Sequence, residues 1–104
     1  MSGGNPSPTP TPTPSCSTIR TAPLNSPQPR VVAGLKVNDR LYVHLDKSTG
    51  RAILQVRDLS GAVAGSLTFL GHLYLIDCIE QGHSYEALVL NISGGAVQLR
   101  IEPV

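Results

Sequence analysis

The chain has 104 residues, enough for one small domain, with eight Lys/Arg against seven Asp/Glu. Eight of its nine prolines lie in the first 29 residues, and from Val31 onward six Lys/Arg face seven Asp/Glu. That balance excludes a strongly basic nucleic-acid protein and an acidic solvating tail. No stretch approaches the roughly 18 consecutive apolar residues of a membrane-spanning helix.

Residues 5–14 read Asn-Pro-Ser-Pro-Thr-Pro-Thr-Pro-Thr-Pro. Each proline removes a backbone donor, fixes φ and pushes the preceding residue to an extended shape, so helix and sheet are both excluded there. Residues 1–29 are therefore expected to be a disordered, Pro/Ser/Thr-rich tail acting as a tether, and residues 30–104 the folded domain. The opening Met1-Ser2-Gly3-Gly4-Asn5-Pro6 lacks the basic and apolar regions of a secretory signal, and no apolar run precedes Cys16. A cytoplasmic location follows as an expectation. In that compartment a bridge between Cys16, in the tail, and Cys78, in an apolar segment, is not expected, so the two cysteines are read as separate thiols, one exposed and one buried.

From Val31 the composition changes to short apolar and polar alternations separated by turn residues. Leu41, Val43 and Leu45 alternate with Tyr42 and His44, the period of a half-buried strand. Asp46-Lys47-Ser48-Thr49-Gly50 reads as a loop. Arg51 to Arg57 forms a second strand, with Gln55 and Arg57 on one side and Val56 on the other, and the short connection through Gly61 leads into a third, Ala62 to Phe69. The segment Gly71 to Gly82 fits either period. Leu73, Ile76 and Ile79, widened by Leu75 and Cys78, make one stripe, while Asp77, Glu80 and Gln81 gather opposite it, and Gly82 stands where a left-handed helix cap belongs. A short helix is the reading adopted. Tyr85 to Ile92 and Val97 to Ile101 complete the pattern as a hairpin, with Leu88, Leu90 and Ile92 and Val97, Leu99 and Ile101 as the inward sets. The expected fold is mainly β: a small, partly open, five- or six-stranded barrel of OB or SH3 type, with one short helix before the last hairpin.

Catalytic constellations are scarce. His44, His72 and His83 are scattered, no nucleophile motif or carboxylate dyad is present, and Gly94-Gly95 sits between two strands as a hairpin turn. No enzyme activity, metal site or cofactor is expected. The cluster with binding character is Tyr42 with Lys36, Arg40 and His44, since a single-strand binder sets an aromatic ring beside basic groups on an open barrel face.

Three runs carry a resemblance: Ala33-Gly34-Leu35-Lys36-Val37-Asn38-Asp39-Arg40-Leu41-Tyr42-Val43, Gly50-Arg51-Ala52-Ile53-Leu54-Gln55-Val56 and Gly61-Ala62-Val63-Ala64-Gly65-Ser66-Leu67. With the helix, Gly82 and Tyr85-Glu86-Ala87-Leu88-Val89 after them, this order of segments resembles HIRAN domains over most of residues 31–104. The resemblance implies a compact modified OB-like barrel that, in some members, grips the end of single-stranded DNA. Where the family places a polar and aromatic Asn-Pro-x-Asp-type loop before its Ala-Ile strand, this chain has Asp46-Lys47-Ser48-Thr49-Gly50-Arg51, with no ring to stack on a base. The ligand-binding candidates are therefore Arg40, Tyr42, His44, Asp46 and Arg51, and the expected partner is single-stranded DNA or a DNA end. The alternative is a protein-interaction module, or a subunit of a homo-oligomeric assembly, tethered by the proline tract.

Overall fold

The computed structural model describes residues 15–104. The elements run β1 (Arg20–Pro23), α1 (Pro29–Val32), β2 (Arg40–Asp46), β3 (Ile53–Arg57), β4 (Val63–Leu67), α2 (His72–Glu80), β5 (Tyr85–Ser93) and β6 (Ala96–Pro103). All strands pair antiparallel in one six-stranded sheet of order β1-β6-β5-β2-β3-β4. The sheet curls until its two ends meet. Just past β1, Asn25 exchanges both backbone hydrogen bonds with Ser66 of β4, each 2.8 Å long, and the Gln28 N–H donates to the Ala64 carbonyl at 2.8 Å. The mainly β, partly open barrel expected from the alternation is the fold observed.

The boundary at residue 29 moves. Residues 15–29 are part of the barrel: β1 supplies its sixth strand, pairing Arg20 to Pro23 with Ile101 to Gln98, and Ala22 and Leu24 are buried in the core. Pro27 and Pro29 do not prevent this, because they follow the strand, and Pro29 starts α1, where a missing N–H costs nothing. The proline-rich stretch 1–14 lies outside the described residues.

The expectation of two separate thiols is overturned. Cys16 and Cys78 form a disulfide, their Cα atoms 5.6 Å apart. Pairing of β1 with β6 carries the preceding residues across α2, and the Tyr85 hydroxyl donates to the Cys16 carbonyl. Once residue 16 is placed by tertiary contacts, distance along the chain no longer separates the two sulfurs.

Helix α2 forms over the segment read as a helix, with Leu75, Ile76 and Cys78 buried and Ile79 packed on the core, but Leu73, read as part of the same stripe, points outward at 67% exposure. It ends at Gly82, φ 105°, whose N–H donates to the Ile79 carbonyl at 3.0 Å while the His83 N–H reaches the Cys78 carbonyl at 3.0 Å. This paired closure satisfies two terminal carbonyls and needs a residue tolerant of positive φ. In the last hairpin, Val97, Leu99 and Ile101 face inward as expected, but β5 turns in Tyr85, Ala87 and Val89, with Leu88 outward. Both phases of this strand carry apolar residues, Ala87 and Val89 in one and Leu88 and Leu90 in the other, with Glu86 the one charge, on the outward phase. The register decides, setting Ala87 against Ile101 and Val89 against Leu99. A break in register between Val89 and Asn91 then resets the phase, and Ile92 packs on the core again.

Candidate functional site

Alternation along β2 buries Leu41, packs Val43 and Leu45 against the core, and turns Arg40, Tyr42, His44 and Asp46 outward. The cross-strand registers extend this face. Tyr42 lies opposite Arg57 of β3 on one side and Glu86 of β5 on the other, and Glu86 lies opposite Glu102 of β6. Arg57, Tyr42, Glu86 and Glu102 thus form one row across four strands, cationic at one end and anionic at the other, with an aromatic ring between.

The two arginines on this face differ in their partners. Arg40 Nη1 donates to Glu86 Oε1 at 2.9 Å and to Glu102 Oε1 at 3.4 Å, and Glu102 Oε2 also accepts from Arg100 Nε at 2.7 Å. The hydrogen bond to Glu86, then that to Glu102, raises the Arg40 guanidinium above its ordinary pKa. Its charge is compensated within the sheet. Arg57 instead donates from Nε at 3.1 Å and Nη2 at 2.9 Å to the single amide oxygen Oε1 of Gln55, and makes no ion pair among the described residues.

Tyr42, at 49% exposure, stands with His44 and Arg57 along a shallow groove of about 360 Å³ whose far rim is the β3–β4 turn. That turn is tightly tied. Asp58 Oδ1 accepts from the Ser60 N–H at 2.9 Å, the Ser60 hydroxyl at 2.6 Å and the Ala62 N–H at 2.9 Å, and Gly61 takes φ 89°. The turn lifts Leu59 to 76% exposure, where it also borders a second groove of about 420 Å³ lined by Arg30, Leu35, Asp39 and Arg40.

The Ser60 hydroxyl bond, followed by the Ala62 N–H, holds the Asp58 carboxyl below the usual carboxylate range. A depressed folded-state pKa means that the unfolded chain takes up the proton first as pH falls. The turn's contribution is thus complete above the ordinary value, near about 3.9, and is lost as pH drops through the folded-state value. Replacing Asp58 by Asn should flatten the acid limb of a stability-versus-pH curve measured by urea denaturation; an unchanged limb would contradict this.

Of the five expected site residues, the structure gathers Tyr42 and His44 in one groove and places Arg40 beside them in its carboxylate pair. Asp46 accepts from the Ser48 hydroxyl at 3.0 Å. At about 3.3 Å per residue it lies roughly 20 Å along the strand from Arg40. Arg51 stands beyond it in the β2–β3 loop, outside the Tyr42 groove. Arg57 and the turn residues Asp58 to Gly61 line the groove without having been singled out as site residues from the sequence. The signal for Arg57 was present, since folding the 47–52 loop as a hairpin sets Gln55 and Arg57 opposite His44 and Tyr42.

Among the described residues, no group of three or more His, Cys, Asp or Glu could hold a metal ion, and no helix is long and apolar enough to cross a membrane. The chain matches no protein-family model, no curated protein and no solved structure.

Proposed function

We propose that the chain is a non-catalytic binding module of HIRAN-like build, which takes single-stranded DNA or a DNA end on the Tyr42 groove. The observation that supports this reading is an exposed tyrosine ring flanked by His44 and by an arginine that forms no ion pair among the described residues. A base stacks on such a ring whatever its identity, worth about 1–3 kcal/mol, and a neighbouring cation holds the backbone. With few cations on the face, affinity is modest and weakens with salt in proportion to the few phosphates contacted.

Fluorescence anisotropy with a labelled oligothymidylate bearing a free 3′ end tests this at two salt concentrations. Binding is expected at low salt, with Tyr42→Ala weakening it by about tenfold or more, the equivalent of one lost stack. No binding at low salt would remove the DNA reading.

A second reading, a module that docks a protein partner or a second copy of itself, is favoured by two observations. Leu59, Leu70 and Leu73 are 76%, 98% and 67% exposed. The Cys16–Cys78 bridge belongs with an oxidising compartment rather than the cytoplasm. Light scattering on the eluting protein separates these outcomes: a mass above that of one chain supports self-association, and a monomer leaves only a different partner.

A further inference from the structure

Taking the Tyr42 groove as the binding surface, we propose that Arg57, oriented by Gln55, is the residue that contacts an anionic phosphate there, and that Arg40 is withheld from this role by Glu86 and Glu102.

Three independent features of the fold carry this. The first is the nature of the acceptor. A guanidinium has five N–H donors; Gln55 takes two of them, fixes the plane of the group and leaves the charge whole, whereas a carboxylate in the same place would cancel it. Arg40 illustrates the cancelled case on the same face, shared between two glutamates. The second is position. Arg57 is the direct cross-strand neighbour of Tyr42, on the side away from Glu86 and Glu102, so a phosphate attached to a group stacked on the ring meets attraction on the Arg57 side and repulsion on the other. The third is the backbone. The β3–β4 register shifts between Val56 and Arg57, leaving Ala64 without a partner on β3. The extra residue is on β4, so the bulge bends the strand that leaves the turn on the groove's rim, directly opposite Arg57. Asp58, also on the groove, keeps its negative charge, but its Oδ1 is turned into the turn it closes and it forms no ion pair with Arg57.

A charge-preserving orienter and a merely structural hydrogen bond respond oppositely to one substitution. Gln55→Glu should leave the melting temperature unchanged or raise it, because an ion pair replaces a neutral bond, yet weaken oligothymidylate binding by about tenfold by cancelling the Arg57 charge. Arg57→Ala should weaken binding by at least as much and lower the slope of log affinity against log salt by about one. In a ¹⁵N–¹H spectrum of the arginine Nε–H groups, inorganic phosphate should shift the Arg57 signal and leave that of Arg40 in place.

If the unmodified protein binds the oligonucleotide and both variants bind it equally well, Arg57 is not the contact and this inference falls alone. If no oligonucleotide binds but phosphate shifts Arg57, the DNA reading falls and the anion contact stands. Silence of Arg57 toward both probes overturns the two together.

Discussion

Reduction of the Cys16–Cys78 bridge is expected to lower the free energy of unfolding by about 4 kcal/mol. The two cysteines are 62 positions apart, so the bridge closes most of the described chain into one loop and removes that closure entropy from the unfolded state. The burial of Cys78, at 3% exposure, and the pairing of β1 with β6 are non-covalent and are expected to persist on reduction, so the native side should change little. For a domain of this size the loss corresponds to a fall in melting temperature of about 15–30 °C. Calorimetry with and without a thiol reductant measures it directly, with Cys16→Ala as the covalent control. Hydrogen exchange should show the opening concentrated in residues 15–19 and α2, which the bridge joins, before the β2–β3 and β5–β6 hairpins lose protection. Melting curves that coincide within a few degrees would mean that the contacts around Tyr85 and Leu75 hold the segment without the bridge.

The second large effect is expected at Gly65, in the middle of β4. A Cβ there would stand 2.6 Å from the Asn25 carbonyl oxygen and 2.7 Å from Leu24 Cδ1, both closer than such atoms can come. The neighbour that must give way is backbone, and it is the backbone that closes the barrel: Asn25 and Ser66 exchange two hydrogen bonds, and Asn25 Oδ1 accepts from the Thr68 N–H at 2.8 Å. Gly65→Ala should therefore combine an overpacking cost of about 1–3 kcal/mol with loss of closing hydrogen bonds at about 1 kcal/mol each. A total of about 3 kcal/mol is expected, measured by urea denaturation, together with faster exchange of the Asn25 and Ser66 amides. Gly50→Ala, at a loop position with open space around it but φ 85°, is the comparison: its cost is conformational, and it should leave the Asn25 and Ser66 amides protected. Unchanged stability in Gly65→Ala would show that the closing segment can move away without loss.

The groove follows from the β2–β3 register, which ends β3 opposite Tyr42 and so brings the β3–β4 turn beside β2. Its chemistry is local. Tyr42 and His44 were legible as an outward pair from alternation alone, and so was the pairing of Gln55 with Arg57 on one side of β3. Arg40 shows the limit of that kind of reading. It lies in the right phase of the right strand beside the tyrosine, but Glu86 and Glu102, which cancel its charge, lie more than forty residues away along the chain. Nothing in the spacing of the sequence brings them together.

What the sequence by itself determined is whatever one strand or helix can settle with its own neighbours. The two-residue alternation of β2, β3 and β6, the three-residue stripe of α2 and the glycine that ends it specify those elements, because burial of one face and cap geometry are local requirements. Tertiary structure alone decided the rest. Both faces of β5 carry apolar side chains, Leu88 and Leu90 beside Glu86 on the outer one, and its register against β6 is what sets Tyr85, Ala87 and Val89 in the core. The segment around β1 has too little apolar surface to order itself, and acquires its structure from the sheet edge it completes and from the sulfur it meets on α2. In each case the stabilising partner is distant in the chain, and its contribution exists only once the barrel has closed.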